Sequence, residues 1–234
     1  MVSTQWIDIP SPDGKTFDGY LALPPTGSGP GIVLIQEIWG VNAHIRTVAE
    51  QYALDGYVVL APDVFWRQER RVDLTYDEEG SAKAFKLMQA ADFALAGEDV
   101  AAAVDCLRQR KEVSGKIAAM GYCMGGQLAY RAAATGKPDA AVCYYGGGIH
   151  NNLDLAERVR VPILFHYAGL DKMIPAEAIS RVREAFSDHP SAIFHEYANA
   201  DHGFNCWARP TYNQHAAALA HGRSLQFLAE HLDA

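Results

Sequence analysis

The chain has 234 residues, with 20 basic and 28 acidic side chains and a formal net charge of −8 with His neutral. That balance, with a pI near 5.5, excludes general nucleic-acid binding, which needs clustered Lys and Arg to neutralise phosphate. Hydrophobic residues make up 49% and charged residues 21%, a composition that folds rather than staying disordered, and no run of about 20 apolar residues marks a membrane span.

The first residues, Met1-Val2-Ser3-Thr4-Gln5, lack the basic start and apolar stretch of a secretory signal, so a cytoplasmic location is expected. Ile7 to Ile9 and Gly19 to Leu23 flank an Asp13-Gly14 turn signal and predict an N-terminal hairpin. Apolar runs follow at Gly31 to Ile35, Tyr57 to Ala61, Ile117 to Met120, Ala140 to Tyr144 and Pro162 to Phe165, with a more polar candidate strand at Ile193 to Tyr197. Their continuous apolar character suits strands covered on both faces, as in a parallel sheet. Between them lie helical patterns at Leu95 to Leu107, Gly126 to Ala134, Pro175 to Phe186 and Gln214 to Leu232. Asp73 to Ser81 is polar and reads as an exposed loop or a helix start. This alternation predicts one α/β domain over residues 1–234, with a mostly parallel sheet of about eight strands, an antiparallel hairpin at its start and helices on both faces. In such sheets sites lie beyond the carboxyl ends of the strands.

The strongest chemical signal is Gly121-Tyr122-Cys123-Met124-Gly125-Gly126, placed after a predicted strand and before a predicted helix. It is a nucleophile elbow with Cys in place of Ser. The turn is so tight that a side chain at 121 or 125 would strike backbone. The helix start favours a thiolate and a developing oxyanion. A cysteine nucleophile needs a base and a group to orient it. Asp171 follows the strand ending at Phe165, and His202 follows the last candidate strand, giving the chain order nucleophile, acid, histidine. Each has a plainer alternative: Asp171 as a helix N-cap, His202 as a loop histidine. Asp201 competes for the acid role and ranks below Asp171, because adjacent side chains rarely point to one site. His44, His150 and His166 have no comparable setting.

Gln36-Glu37-Ile38-Trp39-Gly40 follows the strand Gly31 to Ile35, where an α/β hydrolase builds the other half of its oxyanion hole. The backbone N–H groups of Ile38 and Met124 are the expected donors. Glu37, a carboxylate at an apolar strand end, needs a partner: either an arginine such as Arg67, or a role facing the thiol. The four cysteines, Cys106, Cys123, Cys143 and Cys206, show no C-x-x-C pairing, which argues against a disulfide scaffold or a zinc knuckle.

These blocks, together with Ala61-Pro62-Asp63, Tyr144-Tyr145-Gly146, Gly169-Leu170-Asp171 and His202-Gly203-Phe204, make the chain resemble the dienelactone hydrolase (carboxymethylenebutenolidase) family. The resemblance implies an α/β-hydrolase fold and a Cys123–His202–Asp171 triad. It also implies a Glu37 that helps activate the thiol, no metal or organic cofactor, and opening of an unsaturated lactone in aromatic-ring degradation. It implies further that two arginines hold the substrate's carboxylate, one before a helix beginning near Ala84 and one just after the catalytic histidine. Ser81 and Cys206 stand at those places, with Lys83 or Arg209 as possible substitutes, so a neutral lactone or ester is expected to be used better than an anionic one. Trp39 and Phe85 are expected to line an apolar part of the pocket. The partner expected is a small lactone or ester, with no nucleic acid and no membrane, and the chain a monomer or small homo-oligomer. The competing readings are a broad carboxylesterase or thioesterase on the same triad, a non-catalytic small-molecule binder on the same fold, and a redox-active thiol protein.

Overall fold

The computed structural model describes residues 1–232. One eight-stranded sheet gathers all its strands, in the order β1 (Ser3–Pro10), β2 (Thr16–Leu23), β4 (Val58–Pro62), β3 (Gly29–Ile35), β5 (Val113–Tyr122), β6 (Ala140–Tyr144), β7 (Ile163–Ala168) and β8 (Ala192–Tyr197). The hairpin β1–β2 is antiparallel, closed by Ser11 to Lys15 with Gly14 at φ +81°. The β2–β4 pair is also antiparallel and all others are parallel. The expected strands are all present, several of them longer than their apolar cores suggested.

Strands β4, β6 and β7 are buried along their whole length, as expected of parallel strands sandwiched between helices. Helices α3 (Phe93–Arg108) and α4 (Met124–Thr135) pack against each other and against β3, β5 and β6. Val100, Val104 and Leu107 of α3 are fully buried, so its apolar stripe faces the sheet. On the other face lie α1 (Ala43–Leu54) and α6 (Gln214–Leu232), joined by a polar contact of His221 Nε2 with Asp55 Oδ2 at 3.2 Å. Helix α5 (Ala176–Ala185) packs over the short 3₁₀ turns at Ile149–Asn151 and Leu153–Arg158. Among the described residues no helix is long and apolar enough to cross a membrane.

Two helices depart from the sequence reading. Helix α1 had no predicted counterpart; Asn42 caps it, its side chain accepting from the N–H of Ile45 at 3.1 Å. Helix α2 (Glu78–Ala90) begins well before Ala84. Asp77 accepts from the N–H of Gly80 at 2.7 Å, and Glu78 and Glu79 oppose the positive dipole end. Ser81 therefore lies in the first turn of α2 rather than in a loop ahead of it.

Candidate active site

Four parallel strands deliver the site from their carboxyl ends. Glu37 follows β3, Cys123 follows β5, Asp171 follows β7 and His202 follows β8.

The elbow is as tight as its glycines suggest. Cys123 has φ +56° and ψ −116°, outside the ordinary allowed regions and worth about 1–3 kcal/mol of strain. It is held by its N–H donating to Tyr144 O at 3.0 Å and its carbonyl accepting from Gly126 N at 3.0 Å. A Cβ at Gly121 would sit 2.1 Å from Gly125 O, and one at Gly125 would sit 2.3 Å from Ile35 O and 2.5 Å from Gln36 O. Only hydrogen fits at either place. Cys123 is 8% exposed and makes no side-chain cap bond to α4, which leaves the sulfur free for a reacting partner.

His202 and Asp171, 31 residues apart, meet at 2.7 Å between Nδ1 and Oδ2. The other oxygen, Asp171 Oδ1, accepts from the N–H groups of Met173 and Ile174 at 2.8 and 3.1 Å. The plainer role and the orienting role are thus filled by different oxygens of one carboxylate, although the turn it closes precedes α5 rather than capping it. Asp201 is occupied with the backbone N–H of His202 at 2.7 Å and takes no part in orienting the ring. The His202 ring also rests edge-on against Tyr145, with centroids 5.1 Å apart. With Nδ1 committed to Asp171, Nε2 is the nitrogen left for proton transfer, and it is buried without a hydrogen-bond partner. Burial works against protonation of this ring. Electrostatic interaction with Cys123 and the bond to Asp171 outweigh burial and hold its pKa up at about 10. Sulfur and ring are thus coupled across the site, with Cys123 acting on the ring ahead of Asp171.

Ile38 and Met124 flank the elbow from two sides, and neither backbone N–H has a protein acceptor among the described residues. Such paired free donors are what a carbonyl oxygen requires as it becomes an oxyanion.

Glu37 is 1% exposed. Its partner is not Arg67, which binds Asp99 and Asp13 elsewhere, but Arg209, with Nη1 donating to Oε1 at 3.1 Å. Tyr76 donates to Oε2 at a long 3.4 Å. Burial pushes the Glu37 carboxyl up, against the pull of Arg209 and His202. The Arg209 guanidinium also lies over the Trp39 ring, 4.9 Å from its centroid. Trp39 Nε1 donates to Ser81 Oγ at 3.3 Å, and Tyr76 packs on Trp39 at 4.7 Å. Lys83 turns away to pair with Glu69 at the surface. Phe85 is 45% exposed on α2. Cys206 is fully buried, and its sulfur, a carboxylate oxygen of Glu37 and a ring nitrogen of His44 all lie within 4.8 Å of one another. Sequence reasoning missed Tyr76 and His44 and left Arg209 as one option of two. The polar signal was present in each case, but only folding of α1 and of the loops after β4 and β8 brings these side chains to Glu37.

Fold and site together define a cysteine hydrolase of the α/β-hydrolase class. The dienelactone hydrolase family profile matches residues 17–232, and the chain belongs to that family. It is 38% identical to the carboxymethylenebutenolidase of Pseudomonas putida over 227 residues, 97% of this chain and 96% of the relative. It is 33% identical to that of Pseudomonas sp. strain P51, covering 96% and 94%. A crystal structure of a candidate dienelactone hydrolase from Klebsiella pneumoniae superposes with a TM-score of 0.87 at 26% identity, covering 99% of this chain and 100% of that one.

Proposed function

We propose that the protein opens an unsaturated lactone, or cleaves a related carboxylic ester, through an acyl-enzyme on Cys123. The observation that carries this reading is the 2.7 Å contact of His202 Nδ1 with Asp171, which leaves Nε2 as the nitrogen available to Cys123.

With its pKa held up at about 10, His202 holds the proton of the Cys123 thiol as sulfur adds to the substrate carbonyl. The N–H groups of Ile38 and Met124 donate to the resulting oxyanion, each contributing ~3 kcal/mol to the lowered barrier. The carbon–oxygen bond breaks, and the leaving enolate takes the proton held on His202, which returns the ring to its neutral form. Water, deprotonated by His202, then cleaves the thioester and restores the thiol. Glu37 lies on Arg209 in the resting site and supplies a second base close to the reacting centre. An unperturbed thiol titrates at ~8.5 and is only a few per cent anionic at neutral pH, so a group that helps remove its proton has a task.

Arg209 supplies one cation where the resemblance implies two, and Glu37 already holds it. Ser81 and Cys206 add no charge. This supports better use of neutral than of anionic substrates, the property that separates a broad esterase from a specialised dienelactone hydrolase. The test is a panel of dienelactones, p-nitrophenyl esters and thioesters with wild type and Cys123→Ala. A fall of at least about 10³-fold in the variant is expected. Unchanged turnover there would refute the mechanism, and a strong, salt-sensitive preference for the carboxylate-bearing lactone would refute the substrate preference.

A further inference from the structure

Glu37, His44 and Cys206 come from three separate places: the loop after β3, the first turn of α1, and the loop between β8 and α6. Their donor atoms are an oxygen, a nitrogen and a sulfur, all within 4.8 Å of one another. All three side chains are withdrawn from solvent, at 1%, 5% and 0% exposure. The Nδ1 of His44 is buried and has no hydrogen-bond partner. An unsatisfied buried nitrogen is costly, and no step of ester hydrolysis uses this ring. We propose that Glu37, His44 and Cys206 form a binding site for a zinc-class divalent cation, and that its occupancy switches the hydrolase off.

The donor set selects the metal. Thiolate and imidazole suit Zn²⁺ and its spectroscopic substitute Co²⁺, whereas Mg²⁺ and Ca²⁺ require oxygen shells. In a tetrahedral site with bonds of 2.0–2.3 Å the ligand atoms stand about 3.3–3.8 Å apart. The three donors must close by about 1 Å, within the reach of side-chain torsions. A water completes the fourth position.

Charge also balances. The Cys206 thiol gives its proton to solvent on binding, so thiolate and Glu37 carboxylate together match the two positive charges of the cation, with His44 neutral. Arg209 gives up Glu37 and keeps the face of Trp39. Entry is available from a cleft of about 310 Å³ lined by His44, Thr47, Asp73, Tyr76 and Trp207.

A metal on Glu37 removes that carboxylate from the neighbourhood of Cys123. Inhibition therefore rests on the role given to Glu37 above, whereas binding does not. The two are separated by measuring binding on the Cys123→Ser protein, which also removes the catalytic thiol as a rival ligand. With Co²⁺ as probe, the expected result is one ion per chain and a sulfur-to-cobalt charge-transfer band. Adding Cys206→Ser should abolish the band, and adding His44→Gln should weaken Co²⁺ binding by at least about 10-fold. Circular dichroism confirms that each variant is folded. Should Cys206→Ser fail to fold, His44→Gln decides the matter. In wild type, Zn²⁺ should inhibit ester hydrolysis, and His44→Gln should need at least about 10-fold more Zn²⁺ for half inhibition of its own metal-free rate. Absence of Co²⁺ binding, loss of the band in Cys123→Ser, or its survival in the Cys206→Ser protein would each overturn the site. Full binding without inhibition would overturn the switch alone.

Discussion

Asp99 and Glu37 are both carboxylates withdrawn from water, and their surroundings are opposites. Asp99, on α3, is met by four donors: Ser11 Oγ and Arg67 Nη2 on one oxygen, Trp66 Nε1 and Arg67 Nε on the other, all at 2.8–3.1 Å. Glu37 has two, Arg209 at 3.1 Å and Tyr76 at 3.4 Å. Saturated, the first ties β1's turn, the loop after β4 and α3 into one rigid corner. Under-satisfied, the second has a carboxyl that burial pushes up and that can exchange partners at little cost. A buried carboxylate with full lone pairs fixes its surroundings, whereas one with lone pairs to spare is open to another partner.

The contrast can be broken by substitution. Asp99→Ala should cost about 3–5 kcal/mol, because it strands the Arg67 guanidinium and the Trp66 N–H. At about 2–4 °C per kcal/mol for a chain of this size, thermal unfolding should shift by about 6–20 °C, with turnover per folded molecule retained. Glu37→Gln should show the reverse: about 1–2 kcal/mol of stability, and a 10–100-fold lower rate. Equal damage to stability from both variants would dissolve the distinction.

A smaller effect sharpens it from the side of the ring that Glu37 faces. The His202 pKa is held up at about 10 by Cys123 ahead of Asp171. Cys123→Ala should therefore lower it, read by NMR titration of the imidazole. The sign for stability follows from the raised folded value. The protonated ring stabilises the fold fully below its unfolded pKa of ~6.5, and that contribution disappears as pH rises through about 10. The melting temperature of wild type should converge on that of His202→Gln across this window. Smallest of all, Ser81→Arg should raise the ratio of anionic to neutral substrate turnover by about 5-fold, since a partly exposed ion pair is worth about 1 kcal/mol.

Much of this was legible beforehand. The strands were plain because the middle ones are apolar throughout, and the triad because each member follows a strand end in the right order. Other features depended on contacts distant in sequence. Helix α1 escaped notice because buried His44 and Tyr52 interrupt its apolar stripe with polar atoms. Arg209 could not be assigned to Glu37, 172 positions away, since Arg67 reads equally well until folding sends it to Asp99. Ser81 and Cys206 were picked out by position, and both do stand by the site, one bonded to Trp39 and the other beside Glu37.

The hydrogen of Gly125 is pressed against the carbonyls of Ile35 and Gln36, and this ties two parts of the chain into a single gauge. The sulfur of Cys123 and the free N–H of Met124 belong to the start of the helix that begins there, while the free N–H of Ile38 belongs to the strand end it touches. No alteration of side-chain size at this junction can widen one without displacing the other. Variation in the compounds accepted must then come from the rim, where Ser81, Trp39, Cys206 and Arg209 can be exchanged while the gauge itself stays set.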